Sequence, residues 1–534
     1  MSSREFDRIM SFFPFLLTVS VFIQSNTIAT SPNEAQRWFQ QAQQYFQKQE
    51  WEKSRSAAMK ALEFNPALAD AEVLLGLVAS AQARPQEAEK RLLRALSLQP
   101  RNDRAQSYLG SIYLQQKRLA EASRAFQSAL RLNPKNQSAF YNLGLIALIQ
   151  EKPADALAYF EKVHENDPSD IAALIGMLES QLLLKRQPAA RLSTQKLQAL
   201  LKPQDPRFFQ AATLLALHGE YTLAIPLMEQ VRQEFPQSYD ANYNLALAYF
   251  RSGNPTKAAE TLQVLLAQQP RAEVYNLLAT VEEKRQHYLE AVRAYQKAAE
   301  MEPGNEDFRY DYANELLQHR TTQEAITLFA TGVRDFPRSW KLRLGLGCAY
   351  YLAGKFDDAA GVLLETIKLE PNNKLAYFFL GKTYESTESL QPAIREAFKA
   401  YLDRNPDNPW AYYHNGTILY LRAQLDPQPD FRPAKSNLER ALLLKPGFAE
   451  AYLQLGTILQ QEGQLKESIP FLDRAIHSNP KLAAAHYRLA VAYKRLGQVE
   501  KAKPEFDVYE RLKSGNQAEQ EKQEVIQFLV EQRK

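Results

Sequence analysis

The sequence predicts an all-α fold of tandem helix–turn–helix hairpins stacked into a solenoid. Three observations carry that expectation. First, proline recurs at Pro66, Pro100, Pro134, Pro168, Pro203, Pro236, Pro270, Pro303, Pro337, Pro371, Pro406, Pro446 and Pro480. Thus 13 of the 28 prolines stand 33 to 35 residues apart, with one gap of 40. A fixed period of this length marks a repeat architecture. Second, Leu-Gly or Leu-Ala recurs in the same frame, at Leu75-Gly76, Leu109-Gly110, Leu143-Gly144, Leu245-Ala246, Leu278-Ala279, Leu346-Gly347, Leu380-Gly381, Leu455-Gly456 and Leu489-Ala490. Third, an alanine stands twelve residues after that small residue at Ala88, Ala122, Ala156, Ala224, Ala258, Ala291, Ala325, Ala359, Ala393 and Ala502, usually with a large apolar residue four further on, such as Phe126 or Phe160.

Each feature has a mechanical reason. Spacings of three and four place these residues on one helical face. Small residues let two helix backbones approach, and the large residue fills the space beside them. The closing proline cannot continue a helix and restricts the residue before it. Each unit therefore reads as helix, short turn, helix and a proline-terminated turn. Composition agrees: 45% of the 534 residues are hydrophobic, too many for a disordered chain. The net charge of +4 gives no global field to draw the chain onto nucleic acid. The one cysteine, Cys348, excludes an intrachain disulfide, a four-cysteine zinc site and a cysteine-ligated iron–sulfur cluster.

In chain order, residues 1–29 read as a targeting segment. Arg4 and Arg8 precede an uncharged apolar run over residues 9–23, and Thr27 and Ala29 suit a cleavage site for small side chains. Removal as a signal peptide and retention as an N-terminal anchor both stay open, although the run is short for a spanning helix and holds Pro14. The repeats occupy residues 33–514, fourteen in all. The first has Gln41-Ala42 in place of Leu-Gly, and the fifth, with Met177-Leu178, Thr194 and Leu197, is expected to pack irregularly. The twelfth carries an insertion of about six residues over 423–431, where Pro427, Pro429 and Pro433 call for an extended surface loop. Residues 515–534 read as a polar helix capping the stack, with Val525, Phe528 and Leu529 on one face.

This pattern resembles the tetratricopeptide repeat (TPR). The resemblance implies a right-handed superhelix whose first helices line a concave surface suited to an extended peptide or a partner helix. It also implies that the fifth position of each unit faces inward. That position holds Phe39, Val73, Ser107, Tyr141, Ile175, Phe209, Tyr243, Asn276, Tyr310, Leu344, Phe378, Tyr413, Leu453 and Tyr487. Tyrosine offers area and a hydroxyl at low entropic cost, so Tyr141, Phe209, Tyr243, Tyr310, Phe378, Tyr413 and Tyr487 are candidate partner-binding residues. Packing against the adjacent helix is the competing role for each ring. The asparagine ladder known in some relatives is matched only by Asn142 and Asn244, which join the candidates. The clamp that holds acidic C-terminal peptides in other relatives is not assembled, because Lys382 and Asn314 stand apart.

No catalytic chemistry can be put together. The seven histidines, His164, His218, His287, His319, His414, His477 and His486, form no metal-ligand spacing and read as surface or inter-helix residues. Gly345-Leu-Gly347 follows no strand, and there is neither a Gly-x-Ser-x-Gly elbow nor a Walker lysine. Cys348 reads as a packed thiol. No metal or cofactor is expected. The expectation is a non-catalytic scaffold for protein or peptide partners, exported to a periplasm or the cell exterior. It would touch membrane only through an uncleaved N-terminal segment and would not bind nucleic acid. The alternative is a regulatory or substrate-recruiting subunit whose catalytic site lies on another chain.

Overall fold

The computed structural model describes residues 34–319 and 321–514. Residues 1–29, expected to be a targeting segment, and 515–534, expected to be a capping helix, lie outside the described residues. Within them there are 28 α-helices and no strand. They pair into fourteen hairpins in the frame of the proline grid, from Glu34–Gln47 with Trp51–Phe64 to Ala483–Arg495 with Val499–Ser514. The described residues form two compact bodies, one up to residue 261 and one from residue 262.

Local chemistry sets the helix ends. In the N-terminal body, Asn102, Asn136, Asp170 and Ser238 each accept a hydrogen bond from the backbone N–H three residues on, which caps the next first helix. Pro85 and Pro153 open second helices, where the missing N–H has no intrahelical partner to lose. Among the described residues, the inner turn of eleven of the hairpins holds one residue at positive φ. Glycine supplies it at Gly219 (78°), whereas Lys117 adopts 59° at the equivalent place with a side chain attached.

The small-residue seam is as close as the sequence demands. A Cβ on Gly110 would lie 2.9 Å from the Phe126 ring, and one on Gly144 would lie 2.7 Å from Phe160. A Cβ on Gly176, from the first helix of hairpin 5, would lie 2.6 Å from the other edge of the same ring. Phe160 is thus clamped between two glycines and is fully buried. Hairpin 5, expected to be irregular, keeps two full helices, Ile171–Leu183 and Gln187–Leu200.

In the C-terminal body, hairpin 11 breaks the rule. Its first helix, Lys374–Thr383, is 10 residues long where that of hairpin 10, Trp340–Leu352, has 13. Two 3₁₀ turns follow, Tyr384–Ser386 and Glu388–Leu390, before the second helix Gln391–Arg404. These turns absorb one extra residue, so the second helix meets the core one position late. Ile394, Phe398 and Tyr401 are buried, while Ala393, expected at the seam, is exposed. That expectation is corrected: a helix turns 100° per residue, so the shift rotates alanine out and isoleucine in. The insertion in hairpin 12 is a loop between Pro409–Ala423 and Arg432–Leu444. Pro427 and Pro429 lie in it, Leu425 is 82% exposed, and Phe431 is buried. Pro433, expected in the loop, instead sits in the first turn of the following helix.

Candidate functional site

The register shift puts an aromatic ring at a seam position that several other hairpins keep small. Hairpins 3 and 8 use Ala129 and Ala298 at the position that Tyr401 fills here. The Tyr401 ring stacks on Tyr377, with centroids 3.8 Å apart and planes 21° apart. Asn408 Nδ2 donates to Tyr401 Oη at 2.9 Å. Arg404 Nη2 donates to Tyr377 Oη at 3.1 Å and to the Pro371 carbonyl at 3.2 Å. Burial pushes both phenols above the usual tyrosine range.

The shift also changes what meets Gly381. In hairpins 3 and 4 the repeat glycine faces the large residue of its own second helix. A Cβ on Gly381 would instead lie 2.3 Å from Nδ1 of His414, on the first helix of hairpin 12. His414 is 5% exposed, and its Nε2 has no hydrogen-bond partner among the described residues. Its ring is surrounded by Tyr413 at 5.0 Å, Phe378 at 5.6 Å, Phe398 at 5.9 Å and Trp410 at 6.0 Å. Burial, helped by the charge of Lys382, drives the imidazole pKa down to about 3. The ring is therefore neutral at ordinary pH.

Beside this ring lies an open cavity of about 1190 Å³. Trp340, Tyr377, Phe378, Phe398, Tyr401, Trp410 and His414 form its walls, with a polar rim that includes Glu370, Lys374, Arg404, Asp407 and Glu450. Trp410 is half-buried and meets Phe378 edge-on at 5.4 Å and Phe448 at 4.4 Å. Such an arrangement can seat a side chain or a short segment between rings. Among the described residues no group of three or more histidine, cysteine or carboxylate side chains could hold a metal ion.

The residues expected from sequence divide sharply. Phe378 lines the cavity, and Tyr413 packs against His414 and Phe448 beside it. Burial and then the charge of Glu450 push the Tyr413 phenol up to about 12. Tyr310 is corrected: it is 3% exposed, edge-on to the fully buried Phe329 at 5.9 Å, and so belongs to the core. Asn142 is also buried, donating to the Ser138 carbonyl at 2.8 Å on its own helix. Tyr141 is half-buried against Phe160 at 5.7 Å. Tyr243 stacks on Tyr239 at 5.6 Å, Asn244 donates to the Asp240 carbonyl at 2.8 Å, and Phe209 is half-buried. Tyr487 is 43% exposed and lies 5.0 Å from Tyr509. Sequence reasoning missed Trp340, Tyr377, Tyr401, Trp410 and His414. The available signals were the 35-residue gap between Pro371 and Pro406 and the placing of two of the four tryptophans around it.

Comparison with known proteins identifies the class. Two family models, both described as tetratricopeptide repeat, match residues 73–123, 119–171, 276–339 and 344–409, and residues 215–281 and 459–516. Together these cover more than half of the sequence, and the chain belongs to the tetratricopeptide repeat family. It is 23% identical over 231 residues to human "Protein O-mannosyl-transferase TMTC1", covering 42% of this chain and 25% of that protein. It is 25% identical over 174 residues to "BBSome complex member BBS4" of Bos taurus, covering 33% of this chain and 32% of that protein. The chain thus spans about a quarter to a third of the length of these curated relatives. Among solved structures, that titled "Functional Characterization of Pseudomonas Aeruginosa pilF" is 25% identical with a TM-score of 0.35, covering 39% of this chain and 95% of that one.

Proposed function

We propose that this chain is a non-catalytic scaffold that holds a segment of a partner protein in the aromatic hollow of hairpins 10 to 12. One observation carries the reading: half-buried Trp340, Phe378 and Trp410 share one open cavity where the repeat departs from its own rule. Departures from local consistency gather at functional sites, and aromatic anchors in a concave pocket supply most of the energy of protein recognition. A guest there would bury ring faces now partly in water. Export is part of the proposal and rests on the charge-then-apolar order of residues 1–29. A cap formed by residues 515–534 is proposed on the same footing. Among the described residues no helix is long and apolar enough to cross a membrane.

The test places a photo-crosslinking benzoylphenylalanine at Phe378, with a control at exposed Phe64 in hairpin 1. Illumination in the native host is expected to trap a discrete partner at 378 and not at 64, and Trp410→Ala is expected to abolish the adduct. Equal labelling at both sites, or an adduct indifferent to Trp410→Ala, contradicts the proposal. A second reading, that the partner carries a catalytic site, draws on the likeness to a transferase over 231 residues. It predicts that the trapped chain is an enzyme at fixed stoichiometry.

A further inference from the structure

The hollow also shows what its guest must carry. Resting on the docking reading above, we infer that the cavity receives a positively charged side chain of the partner, an arginine or a lysine, held between aromatic rings and carboxylates. The walls come first. Aromatic faces are electronegative and attract cations. The chain already uses these rings in that way: Lys382 Nζ lies 5.1 Å from the centre of Phe378, and Lys445 Nζ lies 4.9 Å from Trp410 and 4.4 Å from Phe448. Neither lysine is among the residues lining the cavity.

The rim supplies the charge. Its carboxylates are Glu370, Asp407 and Glu450, and its cations are Lys374 and Arg404. The Arg404 guanidinium is engaged by the Tyr377 hydroxyl and the Pro371 carbonyl, and Lys374 is exposed to solvent. Asp407 has only a 4.0 Å contact with Arg440. Glu370 and Glu450 are half-buried, and among the described residues their carboxylates make no hydrogen bond or ion pair. An apolar guest would cover these carboxylates without compensating them, which costs desolvation energy. An anionic guest would add repulsion. A guanidinium or ammonium would satisfy them while its stem packs on Trp340 and Trp410.

The test uses the full chain labelled with 5-fluorotryptophan, so that Trp38, Trp51, Trp340 and Trp410 each report by fluorine NMR. The probes are heptapeptides Gly-Ser-Gly-X-Gly-Ser-Gly in which X is arginine, lysine, norleucine or glutamate. The arginine and lysine peptides are expected to shift Trp340 and Trp410 saturably while Trp38 and Trp51 stay still. Their affinity should fall about ten-fold in the Glu370→Gln, Glu450→Gln double variant, whose melting temperature matches the parent, and the norleucine peptide should be weaker by a similar factor. If norleucine or glutamate binds as well as arginine, or the double variant binds arginine unchanged, the charge inference is overturned. Docking would stand in that case, because the two indoles still respond. If no peptide of any charge moves Trp340 or Trp410, the docking reading falls with it.

Discussion

Hairpins 4 and 11 obey the same grammar and do opposite things with it. In hairpin 4 its own glycine and the next hairpin's glycine close on the large residue, Phe160, which is fully buried. In hairpin 11 one additional residue turns the second helix, Tyr401 takes the place that Val163 holds in hairpin 4, and His414 reaches in from the next hairpin against Gly381. A seam of small residues makes a wall; a seam out of step makes a hollow. The lesson is that a solenoid can build a site by a single-residue change of register, absorbed by two short 3₁₀ turns within one hairpin.

The comparison breaks first at Phe160. Its removal leaves a void between two glycines that cannot collapse far, so Phe160→Ala should cost about 3–5 kcal/mol. Chemical denaturation monitored by circular dichroism checks this, and a loss under about 1 kcal/mol would mean that the seam is not tight. A smaller effect separates two tyrosines that share the fifth position. Tyr310 is buried and Tyr243 is not, so Tyr310→Ala should cost about 3 kcal/mol and Tyr243→Ala under about 1 kcal/mol. Equal losses would erase the distinction between core and surface stripe.

A third effect is a slope rather than a single loss. The folded-state pKa of His414 is depressed to about 3, so below the ordinary histidine value the unfolded chain takes up a proton that the folded chain refuses. Stability on this account is lost as pH falls from about 6.5 toward 3, at about 1.4 kcal/mol per pH unit. His414→Phe should remove that increment of acid sensitivity while keeping the ring contacts. Identical pH profiles for parent and variant would show that His414 accepts a proton without loss of structure.

Much of this was legible beforehand. The prolines and the Leu-Gly pairs specify all fourteen hairpins, because packing of repeats demands a strict period. The register of hairpin 11 was not legible from the pattern, because Ala393 satisfies the alanine rule as a letter while Ile394, Phe398 and Tyr401 satisfy it as a surface. Burial decides between them: the bulkier stripe hides more apolar area. Tyr310 and Tyr243 look alike in sequence because depth depends on the neighbour. Phe329 lies edge-on to Tyr310, whereas Tyr243 stacks on Tyr239. His414 was read as an inter-helix or surface residue; its contact with Gly381 is across hairpins, which no spacing within one unit reveals.

The central claim is that the rings of hairpins 10 to 12 are kept for a guest and those of hairpin 4 for the fold. Measuring thermal stability and photo-crosslinking at position 378 in the same Trp410→Ala sample tests it most directly. The account predicts that crosslinking disappears while the stability loss stays below half of that caused by Phe160→Ala. A loss as large as that of Phe160→Ala, with crosslinking intact in whatever remains folded, would contradict it.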